Sequence, residues 1–160
     1  MRKQWILLFC VAWFVFVGGS EKPKSLFRFH VQTMQQAPKE TLIPIHLSDP
    51  PSVFFVRKQP DLDERHMSEI QMMEDGSVLV IFNEQGQRKL ANLTQGNLGS
   101  FLVVISNGRV VYAPIIDVVM GDGQFVIPGG MSPNEVTKIN KAIQNPSPVA
   151  APRSIRRNVR

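Results

Sequence analysis

The apolar and polar residues of this chain alternate with two periods, and the shorter period predicts strands. Residues 26–33 alternate so that Phe27, Phe29 and Val31 share one face, which is typical of a strand with one buried face. Residues 41–47 and 52–57 are also rich in β-forming residues, and the turn formers Ser-Asp-Pro-Pro lie between them. We therefore expect three strands in this part of the chain.

Three hairpins are predicted further along the chain. Each consists of two apolar runs around a turn that contains glycine, and Asn-Gly between apolar strands is the strongest short-range hairpin signal. They comprise residues 69–82 around Asp75-Gly76, residues 101–112 around Asn107-Gly108, and residues 115–127 around Gly121-Asp122-Gly123.

The longer, helical period occurs twice. Asn83 is predicted to cap a helix over residues 84–95. A second helix is predicted to begin at Ser132, because Ser132 and Glu135 form a capping box and Pro133 fits the first helical position. Three residues at helical spacing form its apolar stripe: Val136, Ile139 and Ile143. Together these patterns predict the α+β class, with an antiparallel sheet of hairpins and two helices packed on one face of it.

The first 20 residues form a segment of a different kind. Arg2 and Lys3 precede an apolar run of 13 residues, Trp5–Val17, and the small residues Gly-Gly-Ser follow it. A membrane span needs about 20 apolar residues, so we interpret residues 1–20 as a secretory signal peptide, with a short N-terminal membrane anchor as the alternative. Either interpretation predicts an extracytoplasmic protein, periplasmic or secreted. Cleavage after residue 20 would remove Cys10, the only cysteine, and with it disulfide and thiolate chemistry.

The positive charge of the chain lies mainly at its two ends. The formal net charge is +5, but residues 21–144 carry 12 Lys or Arg against 13 Asp or Glu. This part is predicted to be a single domain, and it has no basic stripe for nucleic acid. Residues 145–160 contain three prolines and are predicted to be a disordered tail, which either keeps the protein soluble or makes weak contacts with an anionic membrane surface. Four residues would make those contacts: Arg153, Arg156, Arg157 and Arg160.

Residues with catalytic or metal-binding chemistry are few and scattered. His30, His46 and His66 do not have the spacing of metal ligands, and we expect each to be exposed or hydrogen-bonded within the fold. Asp117 interrupts the apolar run 115–120, where alternation would direct it to solvent. The sequence contains no nucleophile, phosphate-binding or metalloprotease motif. We expect a non-enzymatic protein without cofactor or metal; a secreted enzyme that uses Asp117 and a histidine is the alternative.

A protein-binding module is the function that these properties favour. An open sheet edge can accept an extended peptide by strand addition, and methionine side chains suit adaptable contacts. Met67, Met72 and Met73 lie close together around the first predicted hairpin, and we predict that they contact protein or peptide segments. Ordinary packing of these methionines is the alternative. An immunity or inhibitor protein for one secreted partner would fit a small binding module equally well.

Several segments between Ser77 and Ile143 resemble the head region of the large extracytoplasmic domain of SecD, a subunit of the bacterial Sec protein-export machinery. The resemblance lies in the order and spacing of five segments: VIFNEQG at 80–86, LT and NLG at 93–99, FLVVISNGRVV at 101–111, APII at 113–116 and GGMSPNE at 129–135. Two positions depart from the usual family pattern, since Asn107 replaces an Asp and Tyr112 replaces a small residue.

The resemblance implies the fold of a SecD head and a role in contacting exported chains or Sec components. In SecD, membrane spans that drive export follow this region, whereas a polar tail follows it here. We therefore expect a free-standing relative of the head, accessory to protein export or to quality control in the bacterial envelope.

Overall fold

A computed structural model describes residues 25–33, 39–48 and 51–145 of the 160 residues. The predicted signal peptide and residues 146–160 lie outside the described residues. Within them, nine strands and two α-helices follow one another along the chain: β1 (Phe27–Thr33), β2 (Leu42–Ser48), β3 (Pro51–Arg57), β4 (Leu62–Asp63), β5 (Met67–Met72), β6 (Val78–Phe82), α1 (Glu84–Gln95), β7 (Leu102–Ser106), β8 (Arg109–Tyr112), β9 (Gln124–Ile127) and α2 (Pro133–Gln144).

The larger sheet is built around β1. Its strand order is β2-β3-β1-β7-β8, and the short β4 also pairs with β1. All of these pairs are antiparallel; β4 meets β1 at Arg28 and Phe29, whereas β3 meets it at Gln32 and Thr33. The three strands predicted before residue 58 and the hairpin around Asn107-Gly108 are thus confirmed. Both turn residues of that hairpin have positive φ, 49° and 82°, as a tight two-residue hairpin turn requires.

The smaller sheet has the order β5-β6-β9. It confirms the hairpin around Asp75-Gly76, but the third predicted hairpin is wrong, because β9 pairs with β6 and residues 115–120 form no strand. The backbone of Ile116 is instead bonded to the turn after α1: its N–H donates to the Ser100 carbonyl and its carbonyl accepts from Gly99 N–H. Ile116 is fully buried, so its side chain and backbone fix this segment in an irregular course.

The first core lies between the two sheets and the helices. Phe29 on β1 is at its centre and makes edge-to-face contacts with Phe27, Phe82 and Phe125 at centroid distances of 5.3–5.5 Å. The helices contribute Leu90 and Ile139 to this core, and neither side chain is accessible to solvent. The contact of strands and helices in one apolar core confirms the α+β class, with the strands divided between two sheets.

A second core lies on the other face of the larger sheet. The β2–β3 hairpin contributes Ile45, Phe54 and Val56, and β7 contributes Val103 and Ile105. Strand β1 is therefore covered on both faces along part of its length. The sequence predicted only one buried face for β1, because the alternation along the strand does not show that a distant hairpin packs over its polar side.

Both helices begin at the residues that the sequence predicts. The Asn83 side chain accepts the Gly86 N–H at 2.9 Å at the start of α1. At the start of α2, the Ser132 hydroxyl accepts the Glu135 N–H at 3.3 Å and the Glu135 carboxylate accepts the Ser132 N–H at 2.9 Å. The capping box is therefore confirmed. These caps fix where each helix meets the sheets.

The α2 interface can be tested by comparing two alanine variants of the full chain. Ile139→Ala should lower the free energy of unfolding by about 2–5 kcal/mol, because it leaves a cavity in the first core. Ser132→Ala should cost only about 1 kcal/mol, because it removes one capping bond at an exposed helix end. Urea unfolding followed by circular dichroism measures both values. A neutral Ile139→Ala would show that α2 does not pack in this core.

Candidate functional site

The edges of the two sheets differ in how far their outward backbone groups are protected. On β5, the Asn140 side chain of α2 receives the Ile70 N–H at 2.9 Å and donates to its carbonyl at 2.8 Å. On β2, the hydrogen bond from Lys58 N–H to the Thr41 carbonyl fixes the register with β3. In this register the backbone nitrogen of Pro44 points away from β3, toward the open side of the edge. Proline has no N–H, so it blunts an edge against strand addition.

The third edge, β8, lies beside the segment that precedes α2. Arg109 donates from Nη2 to the Gly130 carbonyl at 2.9 Å, and a Cβ added to Gly130 would lie 3.7 Å from the Val111 carbonyl oxygen. The chain around Gly130 thus runs along β8, and access of another strand to this edge is restricted.

The fourth edge, β9, has no such protection among the described residues. The bond from Phe82 N–H to the Gly123 carbonyl fixes the register, so that Val126 directs its N–H and carbonyl away from β6. Gln124 also faces outward, but its N–H is bonded to the Asp122 carboxylate at 3.1 Å. The backbone of Val126 is therefore the part of this edge that can pair with another chain.

A groove runs beside this edge. It has a volume of about 610 Å³, and Asp117 and Asp122 are the charged residues that line it. We name it the β9 groove. Six of the apolar residues that line it define it here: Tyr112, Ile115, Val118, Val119, Phe125 and Val126. Four of these side chains, Ile115, Val118, Val119 and Val126, are 44–60% exposed, which makes the groove an apolar surface next to an open strand edge.

The wall of the β9 groove is held in place by α1. The Thr94 hydroxyl of α1 accepts the Met120 N–H at 3.0 Å, and the Gln87 side chain donates to the Gly121 carbonyl at 2.7 Å. Together with the buried Ile116, these bonds fix both ends of the segment that carries Val118 and Val119.

The three predicted methionine contacts lie in different environments. Met67 is 3% exposed in the first core, and Met72 is half-buried against the same core. Met73, at the β5–β6 turn, is 44% exposed and is the one that presents a surface. The structure therefore does not bring the three together as one exposed patch. The four tail arginines, Arg153 to Arg160, lie outside the described residues, and their contact with an anionic surface stays a prediction.

His66 belongs to a hydrogen-bonded turn that the sequence analysis missed. Residues 64–66 form a 3-10 turn after β4, and Asp63 caps it: its carboxylate accepts the Arg65 N–H at 3.2 Å and lies 3.0 Å from His66 Nδ1. Burial raises the pKa of the Asp63 carboxyl, but the hydrogen bonds from His66 and Arg65 outweigh it and hold that pKa well below its usual value. Residues 58–67 are mostly polar and show no periodicity that would reveal the turn.

This turn connects β1 to α1. Glu64 accepts the Phe27 N–H at 2.7 Å and the Ser25 hydroxyl at 2.5 Å, and Asn83 donates its N–H to the His66 carbonyl at 3.1 Å. Gly86 of α1 passes so close to the turn that an added Cβ would overlap the His66 carbonyl oxygen. His66 is therefore a structural residue at a close backbone contact.

His30 meets only half of the expectation that each histidine is exposed or hydrogen-bonded. Its side chain is fully buried in β1, and neither ring nitrogen has a hydrogen-bond partner of ordinary geometry among the described residues; the backbone of Arg57 makes only a weaker contact with it. Burial, and after it the charge of Arg28, lower the pKa of His30 from 6.5 to about 4, against the opposing effects of the Asp61 charge and the Arg57 backbone. His30 is thus neutral in the folded protein near neutral pH. The cause is the second core, which covers the side of β1 that the sequence predicted to be exposed.

The remaining candidates, His46 and Asp117, line different cavities of the described structure. His46 and Asp117 are exposed, and Asp117 lies in the irregular segment rather than in the predicted strand. Among the described residues, no three His, Cys, Asp or Glu side chains lie close enough to hold a metal ion. No helix within these residues is long and apolar enough to span a membrane.

Sequence reasoning missed the β9 groove because it assigned residues 115–120 to a hairpin strand with one buried face. One signal could have corrected this assignment. Ile115 and Ile116 are adjacent, as are Val118 and Val119, so apolar residues fall on both faces of any strand formed there. Ala-Pro directly before the run is a further sign of irregular backbone.

These features define a small α+β domain in which one strand edge, next to an apolar groove, is open to another chain. The family model of the SecDF P1 head subdomain matches residues 38–147, more than half of the chain. The chain therefore belongs to the SecDF P1 head family, and the resemblance seen in its sequence is confirmed.

Known relatives agree with this assignment. The protein translocase subunit SecDF of Thermus thermophilus is 33% identical over 70 residues, which are 44% of this chain and 10% of that protein. Two solved SecDF structures, each at 21% identity and covering 75% of this chain, share its fold. One is the structure of a membrane component SecDF that enhances protein export; its TM-score is 0.53, and the match covers 62% of that chain. The other is SecDF in a super-membrane-facing form; its TM-score is 0.54, and the match covers 18% of that chain. The chain thus spans less than two thirds of each of these proteins.

The contact between α1 and the 3-10 turn can be tested at its glycine. Gly86→Ala should destabilise the protein by about 3 kcal/mol or more, because the new methyl group meets a backbone atom that cannot move aside. In an ordinary helix position the same change would stabilise by about 1 kcal/mol. Gly96→Ala is the matched control, since its Cβ would meet only an ordinary contact of 3.5 Å. Equal urea midpoints for the two variants would contradict the close contact.

The buried histidine predicts how stability depends on pH. Between pH 6.5 and about 4, the unfolded chain binds a proton at His30 that the folded protein does not, so stability should fall as the pH is lowered. His30→Leu should remove this part of the loss, which is on the order of 1 kcal/mol or more. His46→Leu, at an exposed histidine, is the control. Urea unfolding across this range measures the difference, and an unchanged slope in His30→Leu would mean that His30 finds a hydrogen-bond partner in solution.

Proposed function

We propose that this protein is a non-enzymatic, extracytoplasmic module of protein export that binds extended apolar segments of other proteins. The segment would add to the smaller sheet as a strand beside β9. The observation that carries this proposal is the contrast between β9, which is open next to an apolar groove, and the other three edges, which are blunted or flanked.

The backbone would supply most of the affinity in this mode. The N–H and carbonyl of Val126 point away from β6 and would bond to the backbone of the added segment. Such bonds do not depend on the side chains of the partner, so many different sequences could bind. This tolerance suits a protein that meets exported chains before they fold, and it supports exported chains over a single Sec component as the partner.

The β9 groove would add a preference for apolar side chains. Alternate residues of the added strand would point toward Ile115, Val118 and Val119 and cover their exposed surface. Asp117 and Asp122 would favour segments that also carry lysine or arginine. The exposed Met73 lies at the β5–β6 turn, outside the groove, and its contact with protein segments stays a prediction.

Two variants of Val126 separate the backbone contribution from that of the side chain. Val126→Pro removes the outward N–H while keeping the β6–β9 hydrogen bonds, because proline is tolerated on an edge strand at such a position. It should weaken binding of an apolar peptide of roughly 10 residues about fivefold or more, as expected for one lost hydrogen bond and a steric block. Val126→Ala keeps the N–H and should weaken binding less. Fluorescence anisotropy with a labelled peptide of alternating Val and Thr measures both.

The matched controls test whether the groove itself takes part. Val118→Ser should weaken binding of the same peptide, whereas Val53→Ser, at a side chain equally exposed on the larger sheet, should leave it unchanged. Binding that survives Val126→Pro and Val118→Ser would contradict strand addition at β9. Peptides of unrelated sequence but equal apolar content and charge should bind with similar affinity; tight binding of one sequence alone would favour the inhibitor or immunity function.

A further inference from the structure

A second cavity lies beside the second core, and none of the residues that line it lines the β9 groove. It has a volume of about 700 Å³ and is formed by the start of β1, strand β2 and the β7–β8 hairpin. The lining contains no Phe, Tyr or Trp, and six of its residues are aliphatic or proline: Leu26, Ile43, Pro44, Ile45, Ile105 and Val110. Arg28 is the one lining residue with a permanent charge, and His46 is the other ionisable residue there.

Arg28 has no anionic partner among the described residues. Its Nε is buried and makes no hydrogen bond within them. The two carboxylates nearest to it in the strand pairing are already engaged. Asp63, opposite Arg28 on β4, is bonded to Arg65 and His66, and Glu64 accepts from Phe27 and Ser25. Arg28 as a whole is only partly buried, so an anion in the cavity would reach the outer nitrogens of its guanidinium group and supply the charge partner that the described residues do not.

The form of the cavity limits what that anion can be. A guanidinium group matches the two oxygens of a carboxylate, and the aliphatic wall suits a hydrocarbon chain. An extended peptide would need partners for its own N–H and carbonyl groups along the same wall. Pro44, which lies outward on the neighbouring edge of β2, offers no N–H there. A bound peptide would leave several of its own N–H and carbonyl groups without a hydrogen-bond partner. A ligand with one carboxylate and an otherwise apolar body has no such groups along its chain.

We infer that this cavity binds a long-chain monocarboxylate, with its carboxylate on Arg28 and its hydrocarbon chain along Ile43, Ile45, Ile105 and Val110. This ligand differs from the partner of the β9 groove, and its site shares no lining residue with that groove. The inference therefore does not depend on the proposed function.

Calorimetric titration of the full chain with dodecanoate tests this inference, with dodecanol as the uncharged ligand of equal length. Dodecanoate should bind about tenfold more tightly than dodecanol, because charge-assisted hydrogen bonds to a guanidinium group are strong. Arg28→Gln should remove this difference. Arg57→Gln, at an exposed arginine of β3, is the matched control and should retain it. Equal binding of the two ligands, or an unchanged preference in Arg28→Gln, would overturn the inference.

Two further variants locate the binding independently of Arg28. Val110→Trp should block the cavity and abolish dodecanoate binding even if Arg28→Gln fails to fold. Val118→Ser, in the β9 groove, should leave it unchanged; a loss there would mean that dodecanoate occupies the other groove and would refute this site. Dodecyl phosphate distinguishes a lipid phosphate from a carboxylate: tighter binding of the phosphate would overturn the assignment of the ligand class.

Discussion

Burial of β1 on both faces is the constraint on which the rest of the structure depends. Phe27, Phe29 and Val31 fill the first core, so the smaller sheet and the helices cover only one face of the strand. The β2–β3 hairpin provides that cover and creates the second core. His30, on this second side, becomes a buried imidazole without a hydrogen bond of ordinary geometry among the described residues. Arg28, nearer the start of β1, lines the cavity beside this second core.

The same arrangement decides which sheet edges stay open. Strand β1 occupies the middle of the larger sheet, so the edges of that sheet fall to β2 and β8, which Pro44 and the chain around Gly130 protect. In the smaller sheet, α2 must reach over β5 to place Ile139 in the first core, and this brings Asn140 onto the Ile70 backbone. No element is left within the described residues to cover β9. An open strand edge normally promotes aggregation. An open edge beside an apolar groove therefore supports the proposal that β9 binds a partner.

The sequence predicted most of the local structure because the local signals are strong. Asn107-Gly108 fixes a tight hairpin, and Ser132 with Glu135 fixes a helix start, whatever the rest of the chain does. It failed where long-range contacts overrule local preference. Residues 115–120 have the composition of a strand, yet the backbone of Ile116 is bonded to residues 99 and 100. Likewise, alternation along β1 cannot reveal that a distant hairpin buries His30.

The candidate site was less predictable than the fold for the same reason. The sequence indicated strand addition as a mode of binding, but the choice among edges depends on Asn140, Pro44 and Gly130, three residues that are distant in sequence from β9. Family membership does not supply that choice either, because the solved relatives are 21% identical and show the fold alone. The pattern of protected and open backbone is therefore argued from the contacts of this chain alone. Under the proposed function, the backbone of Val126 and the exposed side chains beside it are the part of the fold that a partner would meet first.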